Sequence, residues 1–373
     1  MAEDYIALGL MSGTSLDGID VGWVVTDGER ILLKRGGSSY AYTAQERSRL
    51  AEYTDMARKW DFTGPPPNAL AEASELVDRL HMQALERFFD ETGQNPPTAQ
   101  VIGYHGQTVL HDATRGRTLQ LGGGQGLADA FGVPVVHDFR SADVKAGGQG
   151  APLAPVYHRA LVQDAELQGV TAVLNLGGVG NVTVVQGDTL LASDTGPANG
   201  PLDSWLSGVD EGGSVSAAGT PDFALVDAFL ELPFFARDWP RSADRYDFDV
   251  LDRMGQLSQE DGAATLGLFT ALSVKRTLRK MDVRPDRLVV CGGGRHNRTI
   301  MTLLSLEVGC EVLPAEALGW ESDSIEAEAF AFMAVRVLEG LPNSFPTTTG
   351  VPTPTVGGRV AYPSSRRGSR GGE

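Results

Sequence analysis

Three short glycine-rich runs in this chain carry the residue types that grip a phosphate chain. Consecutive backbone N–H groups bind anions, and glycine, lacking a Cβ, lets a ligand come close to them. The first run is Met11-Ser12-Gly13-Thr14-Ser15-Leu16-Asp17-Gly18. Its Ser12, Gly13, Thr14 and Ser15 are donors, and Asp17 suits a hydrated Mg²⁺ carried on phosphates. The second run is Leu176-Gly177-Gly178-Val179-Gly180-Asn181, where Gly177, Gly178 and Asn181 are the candidate contacts. The third is Gly292-Gly293-Gly294, followed by Asn297, where bare backbone can flank an adenine or ribose. Each run alone is weak evidence, because an ordinary hairpin with Asp17 as a turn-former fits the same letters. Neither GxxxxGK[ST] nor a complete GxGxxG occurs, so P-loop and dinucleotide folds have no motif behind them.

These turns need strands and helices to position them. Short apolar strands are expected at residues 5–10, 19–26 and 31–34, with a glycine turn after the first. The same order returns at 171–176, 182–185 and 189–192. Helical spacing marks 68–89, 151–161, 223–229, 265–280 and 323–338, and a strand at 288–291 runs into the third glycine run. Strands alternating with helices argue for an α/β protein. The repeated unit suggests two related domains, although β-meanders in general give this pattern. Three glycine runs at strand ends, two in equivalent positions, fit a nucleotide clamped between such domains. The expected fold is therefore α/β, with two related actin-like (ribonuclease-H-like) domains and an interdomain active-site cleft. Its boundaries are expected at 1–138 plus about 349–363 for the N-terminal domain and 139–348 for the C-terminal one. A Pro- and Thr-rich crossing loop spans 342–354, and 364–373 reads as a disordered tail.

Composition limits the partners. The chain has 373 residues, 42% of them hydrophobic and 21% charged, enough for two domains with a sizeable core. A formal net charge of -17 opposes non-specific attraction to nucleic acid or an anionic membrane. Cys291 and Cys310 form neither a CxxC pair nor a disulfide framework, as expected of reduced thiols in a cytoplasmic protein. The start, Met-Ala-Glu-Asp-Tyr, lacks a basic leader, and no apolar run approaches the roughly 20 residues of a membrane span.

The string GLMSGTSLDGID (Gly9–Asp20) resembles the N-terminal signature of the anhydro-N-acetylmuramic acid kinases. The resemblance continues through GYHGQTVLH (Gly103–His111), DFRSADVKAGGQGAPLAPVYH (Asp138–His158) and NLGGVGNVT (Asn175–Thr183). It then takes in SDTGPANGPLD (Ser193–Asp203), CGGGRHN (Cys291–Asn297) and IEAEAFAFMA (Ile325–Ala334), in family order over about residues 5–363. It implies a homodimeric kinase that uses ATP and Mg²⁺. The substrate would be 1,6-anhydro-N-acetylmuramic acid, whose anhydro bridge is hydrolysed while O6 is phosphorylated. A levoglucosan kinase is the nearest alternative; an actin-like ATPase without a sugar, or a non-catalytic sugar-binding regulator, is more distant.

The resemblance implies a catalytic role for Asp194, which would activate water, although the residue alone reads equally as a turn or cap aspartate. Glu326 matches a family acidic position, while a favourable charge in a helix's first turn explains it too. His105, Gln107 and Thr108 follow an apolar strand, where side chains face a cleft, and are the expected sugar contacts. Arg140 is the expected partner of the lactyl carboxylate, since its planar fork engages two oxygens. A core role for His105 and a packing ion pair for Arg140 remain alternatives. The loop Leu121–Gly126 (LGGGQG) is richer in glycine than its family counterpart and bears on the sugar contacts.

Overall fold

Both expected meanders form, and parallel strands extend each into a sheet. The computed structural model describes residues 4–60, 62–93, 98–243 and 245–364. The strands are β1 (Tyr5–Ser12), β2 (Gly18–Thr26), β3 (Ile31–Ala41), β4 (Val101–Asp112), β5 (Arg117–Leu121) and β6 (Val135–His137). They continue with β7 (Thr171–Leu176), β8 (Val179–Gln186), β9 (Thr189–Pro197), β10 (Arg287–Cys291), β11 (Glu311–Pro314) and β12 (Arg359–Ala361). The first sheet runs β12-β6-β4-β1-β2-β3, with β5 hairpinned onto β4. The second runs β11-β10-β7-β8-β9. In each, three antiparallel strands are continued by two parallel ones. Two copies of this order, each with helices between its third and fourth strands, make the ribonuclease-H-like architecture of actin-like domains. Several strands outrun their apolar runs: β3, β8 and β9 continue into polar letters because ladder pairing with a buried neighbour holds them.

Packing divides the chain into two units. The first comprises the described residues up to Asp164, then Asp323–Pro346 and those from Val351 on; the second comprises Ala165–Ser322 and Thr347–Gly350. Residues 139–164 and 323–346, placed by sequence with the second domain, thus group with the first. The cause is the helix Ile325–Leu338, which lies on the first sheet, with the helix Pro155–Asp164 beside it. Their side chains meet: the Tyr157 hydroxyl donates to Glu328 at 2.6 Å, and the Phe139 and Phe330 rings are 5.2 Å apart. Within the crossing loop, the Ala192 N–H donates to the Thr347 carbonyl at 2.9 Å, which ties Thr347–Gly350 to β9. Ser364 is held by Asp129 at 2.7 Å; the rest of the expected tail lies outside the described residues. Among those residues no helix is long and apolar enough to cross a membrane.

A row of glycines explains how the Ile325–Leu338 helix comes so near the sheet. Gly37, Gly22, Gly9 and Gly103 are direct neighbours across β3, β2, β1 and β4. A Cβ at Gly9 would overlap the Ala327 carbonyl, and one at Gly103 the Phe330 carbonyl. At Gly22 it would press on the Glu328 amide, and at Gly37 on the Ser324 side chain. The helix meets them largely with backbone, at Ala327, Glu328, Phe330 and Ala331, all buried. Two charged groups secure its ends. Glu328 accepts from Tyr157 and from Ser324 Oγ at 2.9 Å; Arg336 donates to the Gly28 carbonyl at 2.6 Å and to that of Pro342.

Overpacking of this kind costs about 1–3 kcal/mol or more, here against backbone that has no rotamer to yield. Gly9→Val is expected to lower the thermal midpoint by about 5 °C or more in a melting experiment. Gly126→Ala, at a helical position with open space around it, should leave the midpoint unchanged or raise it slightly.

Candidate active site

In the first unit the β1–β2 turn stands where the parallel ladder of β1 with β4 ends. Ser12 is fully buried, whereas Thr14, Ser15 and Asp17 are exposed. The turn is braced from inside: Ser12 Oγ donates to the Gly106 carbonyl at 2.9 Å, and Gln107 Nε2 to the Gly13 carbonyl at 3.0 Å. The Leu16 N–H also reaches Gly13 O, at 3.2 Å, and the Tyr42 N–H donates to Asp17 O. Beside Ser12, burial pushes the Tyr42 phenol up to about 12. Asp17 has Arg47 3.8 Å away, a solvent-screened contact. Its neighbour Asp20 on β2 accepts from Ser39 Oγ at 2.6 Å. Burial raises the Asp20 pKa, the Ser39 bond pulls it down, and the charges of Asp323 and Asp17 raise it further. A cation at this edge would relieve that repulsion. No three His, Cys, Asp or Glu among the described residues group as a metal cage, but Mg²⁺ on phosphates needs only one or two carboxylates.

Next to this turn, β4 and β5 display one polar face. His111 lies opposite Thr118 and Thr108 opposite Gln120, so their side chains share a side of the hairpin. Gln120 Nε2 donates to Thr118 Oγ1 at 2.8 Å and to Thr108 Oγ1 at 3.3 Å, and His111 Nδ1 pairs with Thr118 Oγ1 at 3.0 Å. Arg140 donates to His105 Nε2 from Nε and Nη2, at 3.3 and 3.1 Å, and to the Gly150 carbonyl at 2.8 Å. The His105 ring is therefore the Nδ1–H tautomer, donating to the Gly106 carbonyl at 2.8 Å. Burial, then the Arg140 charge, hold its pKa well below the usual histidine range. His105 is thus a buried, neutral, doubly bonded ring that orients Arg140. Sequence reasoning missed His111, Thr118 and Gln120, although the alternation Thr118-Leu119-Gln120-Leu121 announces a two-faced strand. It also missed Asp143, a buried carboxylate that accepts the Gly150 N–H at 2.6 Å and shapes the Ala146–Gly150 loop.

The LGGGQG loop is held by the helix Asn68–Thr92. Ser74 Oγ accepts the Gly122 N–H at 2.9 Å, and Asp78 Oδ1 accepts both the Gly123 N–H at 3.1 Å and the Tyr104 hydroxyl at 2.9 Å. A Cβ at Gly122 would overlap the Tyr104 ring, which explains that glycine without a ligand. Glu326 sits half-buried in the first turn of Ile325–Leu338, in the first unit; Asp194 belongs to the second.

In the second unit the turn proper is shorter than expected. Only Gly177 and Gly178 separate β7 from β8, and Asn181 lies within β8. Asn175, Asn181 and Asp194 are direct neighbours across β7, β8 and β9 and face the same way. Asp194 was expected at a strand end, but β9 continues through Pro197 because, past a bulge at Thr195 in β9, Gly196 pairs with Gly180. The aspartate is buried, and its Oδ2 accepts the Ala243 N–H at 2.7 Å. Arg241 lies beside it. Burial lowers the arginine's pKa to about 10 and the Asp194 charge supports it, so the guanidinium stays cationic at neutral pH. Arg241 escaped sequence reading because it stands in a loop between short helices.

Gly292–Gly294 follows β10, next to β7, so it meets the Gly177–Gly178 turn at the carboxyl ends of parallel strands, where α/β sheets bind ligands. Asn199 braces the Gly177–Gly178 turn: its Nδ2 donates to Leu176 O at 3.1 Å and its N–H to Gly177 O at 2.9 Å, while its side chain lies beside Gly293 and Gly294. Asn297 has another task. Its Oδ1 accepts the Ile300 N–H at 3.0 Å, capping the helix Arg298–Val308, and its Nδ2 reaches Asp210 at 3.2 Å.

The glycines divide by what surrounds them. A Cβ at Gly292 would overlap Asn175, and one at Gly294 would press on Leu176. At Gly13, Gly177, Gly178 and Gly293 neither a positive φ nor the protein's own packing demands glycine, and a Cβ would meet nothing closer than 3.4 Å. Four open glycines at strand ends fit a ligand that must lie against bare backbone.

The comparisons with known proteins follow the same lines. The family model for anhydro-N-acetylmuramic acid kinase matches residues 5–363. The chain belongs to the anhydro-N-acetylmuramic acid kinase family. It is 46% identical over 364 residues to the anhydro-N-acetylmuramic acid kinase of Bradyrhizobium diazoefficiens, covering 96% of this chain and 99% of that one. To the Rhizobium rhizogenes protein of the same name it is 47% identical over 370 residues, covering 96% and 100%. Among solved structures, (R)-2-hydroxyglutaryl-CoA dehydratase component A of Acidaminococcus fermentans is similar with a TM-score of 0.48 and 11% identity, over 89% and 98% of the two chains. As a member of a kinase family, the chain is a phosphotransferase with an alcohol acceptor.

Two expectations follow for this kinase-family member. Asn297→Ala should lower stability by about 1 kcal/mol, seen as a lower thermal midpoint, through loss of a helix cap. The second concerns pH. His81, His111 and His158 each have a pKa held down to about 4, chiefly by burial. Unfolding returns them to about 6.5, so the unfolded chain binds more protons between those values. Stability should fall as pH drops from about 6.5 towards 4, and a midpoint flat across that window in a pH series would contradict this. The raised pKa values of Asp20 and Asp78 act in the opposite sense, at the acid end of the window.

Proposed function

We propose that the protein transfers the γ-phosphoryl group of ATP to O6 of 1,6-anhydro-N-acetylmuramic acid while water opens the anhydro bridge. Water adds to the anomeric carbon, the bond from that carbon to O6 breaks, and O6 takes the phosphoryl group. N-acetylmuramic acid 6-phosphate and ADP leave, and the water's proton passes to Asp194. In this role the protein returns a cell-wall fragment to metabolism. The observation that carries the reading is the placement of Asp194. It is buried, oriented by the Ala243 N–H, next to a cationic Arg241, and on the same row of strands as the Gly177–Gly178 turn.

For Asp194 as proton acceptor, its fixed orientation matters more than intrinsic basicity. In the first unit the amides of Gly13, Thr14 and Ser15 would suit phosphates; in the second those of Gly177 and Gly178 would, with Gly292 and Gly293 suited to a nucleoside. The β4–β5 face of Thr108, His111, Thr118 and Gln120, with Arg140, supplies hydroxyl and amide partners of the kind a sugar requires. The fork of Arg140, held by His105, suits the lactyl carboxylate. Mg²⁺ bound with ATP would neutralise phosphate charge, with Asp17 and Asp20 the carboxylates nearest to hold it.

An ADP-release assay with 1,6-anhydro-N-acetylmuramic acid, with mass detection of the phosphorylated product, tests the reading; sugar-independent ATP hydrolysis would sink it. Asp194→Asn is expected to lower turnover by about 10²–10⁴-fold, with the Kd for ADP changed less than about twofold. Turnover like that of the wild type would remove Asp194 from the chemistry.

A further inference from the structure

Gln107 stands on β4 among the residues expected to touch the sugar, yet its side chain is fully buried and points elsewhere. We infer that Gln107 is a positioning residue for the nucleotide's phosphates: it fixes the Gly13 peptide so that the Thr14 N–H faces the ligand. This rests on the proposed nucleotide site at the β1–β2 turn.

The geometry begins with a bulge. β1 and β4 pair in register from Ala7↔Val101 to Leu10↔Tyr104, then slip so that Ser12 lies opposite Gln107. The extra residue is Gly106, with φ +69°, where a Cβ would also overlap the Leu121 carbonyl. A bulge re-aims the side chains beside it. Here it turns the Gly106 carbonyl towards Ser12 Oγ and the Gln107 amide towards the turn, giving two reciprocal bonds of 2.9 and 3.0 Å. The amide orientation is fixed, because Nε2 lies near two carbonyls, Gly13 O and, at 3.4 Å, Thr108 O. Reversal would set oxygen against oxygen. The Gly13 carbonyl is thus held inwards by Gln107 and the Leu16 N–H. The Gly13–Thr14 peptide is trans, so its N–H points opposite to its carbonyl, away from the protein's interior. Thr14 is exposed, and the space beside Gly13 is open. A peptide held in this way gives the phosphates a donor that needs no reorganisation when they bind.

The test is a binding titration of the full chain with ADP, adenosine and the anhydrosugar, comparing wild type with Gln107→Met and Gln107→Glu. Gln107→Met keeps the length and loses the donor; Gln107→Glu keeps the shape and sets an anion against two carbonyls, and serves if the methionine variant does not fold. Both are expected to raise the Kd for ADP about tenfold or more. The Kd values for adenosine and the sugar should change less than about twofold, a split that general loosening of the fold would not produce. ADP affinity equal to wild type overturns the inference. So does a loss confined to the sugar, which would make Gln107 a sugar contact. A wild-type protein that binds no ADP would fail the nucleotide reading itself, and the inference with it.

Discussion

The first unit depends on a helix that touches a sheet at backbone level. The Ile325–Leu338 helix lies across Gly37, Gly22, Gly9 and Gly103, one glycine on each of four adjacent strands. Ordinary helix–sheet packing interposes side chains; here the carbonyls of Ala327 and Phe330 occupy the space that Cβ atoms would fill. Dispersion contacts are many at so short a separation, and each added methyl is repelled by groups that cannot rotate away. The same helix carries Glu326 and presents Phe330 to the His105 ring, 4.6 Å away. Its seat on the sheet therefore sets the floor under the His105–Arg140 pair.

Two kinds of glycine thus serve opposite ends. Those of the row, with Gly106, Gly122 and Gly292, answer to the protein's own atoms. Gly13, Gly177, Gly178 and Gly293 answer to none, and they lie at the carboxyl ends of β1, β7 and β10. Polar groups follow the same division. Gln107, Asp143, Asp78 and Asn297 hold backbone in place, whereas the β4–β5 face and Asp194 present groups suited to a substrate. Much of what looks chemical in the sequence holds backbone in place.

The architecture was largely legible because apolar runs and glycine turns repeat in the same order in both halves. Strand ends were less so: β9 runs past Asp194 on the strength of ladder pairing with β8, which no local letter announces. Unit boundaries failed at 139–164 and 323–346, since a helix distant in sequence completes the first sheet. For the candidate site, motif and resemblance pointed to Asp194, which lies buried on β9, and to glycine turns of which four members have open space beside them. The roles of His105, Gln107 and Asn297 were hidden, because a buried hydrogen bond to backbone leaves no trace in spacing. Arg241 was hidden for the same reason, its partner lying on a strand about fifty residues earlier.

The late position of the glycine-seated helix has a consequence for synthesis. When a ribosome completes β4, the strands that carry the glycine row have all been made. The helix that covers them ends at Leu338, more than two hundred residues later. At about 5–20 residues per second the wait is roughly 10–50 s. Through that interval the nascent first unit shows a sheet face paved with bare peptide, open to any strand or chaperone that reaches it. The unit closes only when nearly all of the second has emerged, so the chain's last large helix decides when its first domain becomes native.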